Sequence, residues 1–198
     1  MDLINKKKFT HLDVRILGVL ISLLVSFFTL LSPGLPNDDA YAYIRTAEIA
    51  LNDGIDAAIQ YYSWAGYSLL IAFVSKAGTD LFTAAQLINA FFLSLLVYSF
   101  ISIVNCFNDS KTASNLAAIC ILLYPPLNEL RSDIIRDIAM WALSLFALWQ
   151  FLLFVKSNHL PNFICFCLSI ILASLFRAEA IVYLLSLPMG LLLDGRYK

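Results

Sequence analysis

Charge is scarce in this chain. Of 198 residues only 13 are Lys or Arg and 14 are Asp or Glu, and the formal net charge is −1. No basic stripe is available to follow a phosphate backbone, so nucleic acid is excluded as a partner. Histidine is rarer still, with His11 and His159 in short polar flanks. The four cysteines, Cys106, Cys120, Cys165 and Cys167, lie in or beside apolar stretches without metal-ligand spacing. They are read as small apolar residues, with no disulfide framework and no metal assigned. No internal repeat, heptad pattern or low-complexity segment is present. The first apolar stretch is not followed by a small-residue cleavage pattern, so it is read as a retained span and not as a signal peptide.

What remains is apolar. Hydrophobic residues make up 61% of the chain, and its mean hydropathy is +0.81. A soluble domain of this size cannot hide that much apolar surface, so the sequence predicts an all-α, polytopic transmembrane helix bundle. It is read as a single membrane domain over residues 1–198. Residues 16–35 form a first span, 36–80 a first external loop with surface helices, and 81–193 the remaining helices. Within that last part, the uncharged stretches 81–108, 112–128, 138–155 and 157–176 each approach a full crossing, and 180–193 is short for one. Residues 64–74 are too short for a span and predict a re-entrant or interfacial helix. Lys6, Lys7, Lys8 and Arg15 place the amino terminus in the cytoplasm. If 64–74 does not cross, Lys111, Lys156, Arg196 and Lys198 fall on that same side.

Three polar clusters then meet outside. The first is Asp38-Asp39, followed by Ala40-Tyr41-Ala42-Tyr43. The second runs from Asn128 and Glu129 through Arg131, Asp133 and Arg136 to Asp137. The third is Arg177-Ala178-Glu179. Acids and arginines at helix ends suit an anionic lipid head group, because a guanidinium grips phosphate through a planar fork and a carboxylate accepts a proton from a hydroxyl. Each cluster also has a structural alternative. Asp38 or Asp39 would cap a surface helix whose apolar positions are Tyr43, Ala47, Ala50 and Leu51, ending at Asn52-Asp53-Gly54. Arg131 would pair with Asp133, and Arg136 with Asp137, in a solvated loop. Glu179 would only neutralise Arg177.

Four motifs in order resemble the amino-terminal half of the GT-C class of polyprenyl-phosphate-sugar glycosyltransferases, in the branch of protein O-mannosyltransferases and the lipid A aminoarabinose transferase. They are the acidic pair with its aromatics and surface helix, and the short helix Tyr67-Ser68-Leu69-Leu70-Ile71-Ala72-Phe73-Val74 ending at Lys76 and Gly78. Then come the loop from Tyr124-Pro125-Pro126 to Arg136-Asp137 with Ile138-Ala139-Met140-Trp141, and Leu172-Ala173-Ser174-Leu175-Phe176-Arg177-Ala178-Glu179. The resemblance implies sugar transfer from a polyprenyl-phosphate donor to a hydroxyl of a glycan, lipid or protein acceptor, with inversion, outside a bacterial cytoplasmic (inner) membrane. It implies that Asp38 or Asp39 is the base and Asp137 a second carboxylate at the reaction centre. Arg131, Arg136 and Arg177 would bind the donor phosphate, with Tyr41, Glu129, Asp133 and Glu179 in support. Some GT-C enzymes use a divalent metal, but this branch implies none, and no cofactor is assigned. Its members carry more spans, which implies a carboxy-terminal half beyond these helices. The usual acidic pair is Asp-Glu, where this chain has Asp-Asp.

Overall fold

A computed structural model describes residues 12–31 and 34–193. The topological markers Lys6, Lys7, Lys8, Arg196 and Lys198, together with His11, lie outside the described residues. All the described elements are helices: α1 (Val14–Leu31), α2 (Asp38–Asn52), α3 (Ile55–Tyr61), α4 (Gly66–Ser75), α5 (Leu81–Phe107), α6 (Lys111–Leu122), α7 (Pro125–Glu129), α8 (Asp137–Ser157), α9 (Leu160–Phe176), a 3-10 turn (Ala178–Ile181) and α10 (Val182–Leu193). Among the described residues there is no strand.

Three helices, α1, α5 and α8, are long and apolar enough to cross a membrane. At 1.5 Å per residue they extend ~27, ~40 and ~32 Å, against a hydrocarbon core of about 30 Å. They mark the chain as a membrane protein. The other apolar stretches form shorter helices than their sequence length implies. The stretch 112–128 breaks after Leu122, because Pro125 and Pro126 occupy the first positions of α7 and Tyr124 before them is extended, with ψ 110°. Helix α10 carries Pro188 in its interior, which removes a backbone donor there. Helix α4 has only 10 residues, about 15 Å of rise, and buries Tyr67, Ser68, Ile71 and Ala72 within the protein.

Helix α5 is central: α1, α6 and α8 pack on it, α9 packs on α8, and α2 and α4 close one end. Its start is fixed by Asp80, whose carboxylate accepts from the Thr83 N–H at 3.0 Å. The opposite end of the bundle gathers Arg15, whose guanidinium lies 5.4 Å from the Tyr98 ring centroid, and Lys156, which donates to the Cys106 carbonyl. There Ser114 at the start of α6 donates to Asn105 near the end of α5 at 2.6 Å. The four cysteines are free, with Cys120 and Cys165 exposed and Cys106 and Cys167 half-buried.

Close backbone approach locks α4 to α9. A Cβ on Gly66 would stand 2.5 Å from the Leu175 carbonyl oxygen, a backbone atom that cannot swing aside. Gly66→Ala is therefore expected to destabilise the fold by about 1–3 kcal/mol, read as a lower unfolding temperature in detergent. An unchanged temperature contradicts this contact.

Candidate functional site

The acidic pair is not a cap. Asn37 precedes α2 with extended φ and ψ (−67°, 160°), and Asp38 and Asp39 form the helix's first turn, both exposed. Carboxylates there face the positive end of the helix dipole. The Asn37 side chain does not cap either. Its Oδ1 accepts from the Ile134 N–H at 2.8 Å, and its Nδ2 donates to the Ile134 carbonyl at 3.3 Å. Those two bonds fasten the acidic pair to the loop before α8. The inward face of α2 also differs from expectation. Ala40, Tyr43, Ile44 and Ala47 are buried against the protein, whereas Leu51 is 40% exposed. Tyr41 faces outward, at 59% exposure.

The loop between α7 and α8 is held from several sides. Asn89, buried on α5, donates to the Asp133 carbonyl at 2.6 Å and accepts from the Tyr67 hydroxyl at 2.9 Å. Arg131 is only 5% exposed and turns toward α1. It donates to Ser26 Oγ at 2.8 Å, to the Ser22 carbonyl at 3.2 Å and hydroxyl at 3.3 Å, and to Asn128 Oδ1 at 2.8 Å. The expected pairing with Asp133 does not form. Burial pulls the Arg131 guanidinium below its usual range. Asp133 contributes its backbone carbonyl to the Asn89 contact. Glu129 is exposed, and its carbonyl accepts from Ser132.

Beyond this loop the second and third clusters join. Arg177 ends α9 with extended backbone (φ −147°, ψ 126°) and donates both to Asp137, the first residue of α8, and to Glu179, with Nη2–Oε1 at 3.0 Å. The Glu179 and Asp137 carboxylates hold the Arg177 guanidinium well above its usual range, and Arg177 holds Glu179 below the usual carboxylate range. Arg136 does not pair with Asp137. Its guanidinium carbon lies 5.9 Å from the centroid of the Tyr62 ring, at the end of α3. Tyr43 meets Tyr62 edge to face at 6.0 Å and Tyr67 at 5.2 Å. Tyr67 in turn meets Phe176 at 6.3 Å, so a row of rings runs from α3 to the end of α9. Burial pushes the Tyr43 phenol up to about 12, opposed by the nearby Arg136 and reinforced by Tyr62 and Asp39. Arg136 also acts on Glu179.

Arg136, Asp137, Arg177 and Glu179 form one patch. Tyr43, which both Arg136 and Asp39 act on, links it to Asp39, with Asp38 adjacent in the same helical turn. Arg131 is turned away into α1, and Tyr41 and Glu129 project outward. Tyr43 and Tyr62 are added to the predicted set. The sequence signal for Tyr62 was absent, since it follows a helix of only seven residues.

Alongside this patch, α8 and α10 enclose an open apolar groove of about 410 Å³. Met140, Trp141, Ser144, Leu145 and Leu148 line one side, and Tyr183 and Leu187 the other. Met140 is the third residue after Asp137, so the groove begins one helical turn from the charged patch. An acidic pair, a half-exposed cation and an apolar channel are together suited to an amphiphile with an anionic head. Among the described residues no three of His, Cys, Asp or Glu are grouped so as to hold a metal ion. No protein-family model, no curated protein and no solved structure matches this chain.

Proposed function

We propose that this chain is a membrane glycosyltransferase, or the amino-terminal part of one, that moves a sugar from a polyprenyl-phosphate donor to an acceptor hydroxyl on the outer face of the cytoplasmic membrane. The observation that carries this reading is the meeting of two sequence-distant carboxylate groups and a cation at one end of the bundle, beside an apolar groove.

In this reading Asp38 or Asp39 takes the proton of the acceptor hydroxyl. The acceptor oxygen forms its bond to the sugar's anomeric carbon as the bond from that carbon to the phosphate oxygen breaks, and the electron pair leaves with the phosphate. Arg136 stabilises the charge that develops there. Asp137 stands near the reacting centre, its carboxylate held in place by Arg177, and Glu179 supports Arg177 from the other side. The prenyl chain lies in the groove between α8 and α10. Arg131 has no part in holding the donor, because its donors already face oxygens of α1 and Asn128. With the amino terminus in the cytoplasm, α1 runs outward and the charged patch lies outside.

The long helices carry their charges at their ends: Arg15 in the first turn of α1, and Asp137 and Lys156 at the two ends of α8. That placement suits a head-group site better than an ion path through the bilayer. The test is transfer of labelled sugar from a polyprenyl-phosphate donor in membranes containing the chain, compared with matched membranes lacking it. Transfer confined to the former is expected, and equal transfer in both removes the proposal.

A further inference from the structure

Two arginines of the charged patch are held in different ways. Arg177 lies between two carboxylates, so its fork is filled and its charge locally balanced. Arg136 makes no ion pair among the described residues. Its partner is the Tyr62 ring, 5.9 Å from the guanidinium carbon. An aromatic face attracts a cation through its quadrupole, yet neither neutralises the charge nor occupies its N–H donors as a carboxylate would. A guanidinium held in this way is oriented and still able to take a doubly hydrogen-bonded anion.

The ring is itself well fixed. Tyr62 follows α3 in extended conformation (φ −140°, ψ 105°), with its backbone N–H donating to the Ala58 carbonyl at 2.9 Å. Its ring is braced edge to face by buried Tyr43. The linker from α3 to α4 thereby reaches the head of α8, although nothing in the sequence joins the two.

We infer that Tyr62 is a positioning residue, holding the Arg136 guanidinium ready for a phosphate group at this end of the bundle. The inference rests on the reading that the patch receives a phosphate. It adds that the ring face of Tyr62, and not its hydroxyl, sets the strength of that grip.

The experiment is equilibrium binding of radiolabelled long-chain polyprenyl phosphate to the full chain in lipid nanodiscs, for wild type, Tyr62→Phe and Tyr62→Leu, with the matching polyprenol as a probe lacking phosphate. Wild type is expected to prefer the phosphate over the polyprenol. Tyr62→Phe keeps that preference, and Tyr62→Leu loses roughly three- to tenfold of it, with polyprenol binding the same in all three. Equal phosphate binding by Tyr62→Leu and wild type overturns the role of Tyr62 while leaving the phosphate site standing. Parallel loss of polyprenol and phosphate binding in Tyr62→Leu also overturns it, since that marks general packing. A wild type that does not distinguish phosphate from polyprenol removes the underlying reading. Competition by inorganic phosphate separates the sources: displacement at comparable concentration supports Tyr62 but assigns the site to a soluble phosphate, and its failure assigns it to the lipid.

Discussion

Under the proposed function, replacing Asp38 and Asp39 together by Asn is expected to lower sugar transfer by about 10²–10⁴-fold, the usual contribution of a general base, with insertion and folding intact. Both carboxylates are exposed in the first turn of α2, and the helix start is held by the neighbouring Asn37 and not by them. Asparagine keeps their size and sacrifices only the favourable meeting of negative charge with the helix dipole, about 0.3–1 kcal/mol each. A loss of that small size leaves the fold in place, so a large fall in rate would belong to the chemistry. The double change is needed because either acid can reach an acceptor from adjacent positions of one turn. Initial rates of transfer in membranes, with the amount of inserted chain held equal, provide the measurement. An unchanged rate removes the pair from the mechanism.

The second large effect falls on stability. Asn89→Leu preserves approximate volume on α5 but removes the donor to the Asp133 carbonyl and the acceptor for the Tyr67 hydroxyl at one stroke. Of the two abandoned groups, the Tyr67 hydroxyl is on a fully buried side chain and the Asp133 carbonyl is half-buried. An unsatisfied buried polar group costs about 1–3 kcal/mol and a half-buried one less, so a loss of roughly 1–4 kcal/mol is expected. Asn89 lies about two turns into α5, and its bond to Asp133 fixes the loop that ends in Arg136 and Asp137. The variant should therefore lower the unfolding temperature in detergent and open this loop to proteolysis. Tyr67→Phe removes the hydroxyl alone and is expected to have a smaller effect. Equal stability of Asn89→Leu and wild type contradicts this network.

Helices and their apolar character were legible in the sequence because burial in lipid or protein leaves long uncharged runs. Helices α2 and α8 each begin with Asp in the first turn, where negative charge meets the positive end of the helix dipole. Failures occurred where distant residues decide. The Asn37–Ile134 pairing joins positions 97 residues apart and displaces the local capping expected of Asp38 or Asp39. Arg131 finds Ser22 and Ser26, more than 100 residues away. Those serines look like ordinary small residues in an apolar helix until the arginine arrives. Leu51 is exposed because the face of α2 that packs on its neighbours carries Tyr43, which meets Tyr67 of α4, with Ile44 and Ala47 also buried. That face is set by the partner helices and not by apolar spacing alone. The end of α6 was legible as well, since Pro125 and Pro126 open the loop read from Tyr124 to Asp137.

The charged patch was anticipated as a meeting of three clusters, but not its division of labour. Pairing of Arg177 with Asp137 and Glu179, and of Arg136 with a tyrosine ring, depends on which helix ends come together. Sequence adjacency favoured Arg136 with Asp137, yet those residues straddle the start of α8. The carboxylate is taken by the arginine arriving from α9.

The measurement that bears most directly on the proposed chemistry is the anomeric configuration of the sugar that membranes containing this chain transfer from a polyprenyl-phosphate donor, read by nuclear magnetic resonance of the isolated product. One displacement, with a base from α2 activating the acceptor opposite the leaving phosphate, gives a product of inverted configuration. Retention of configuration, or a product absent from these membranes when the chain is inserted and folded, would contradict it.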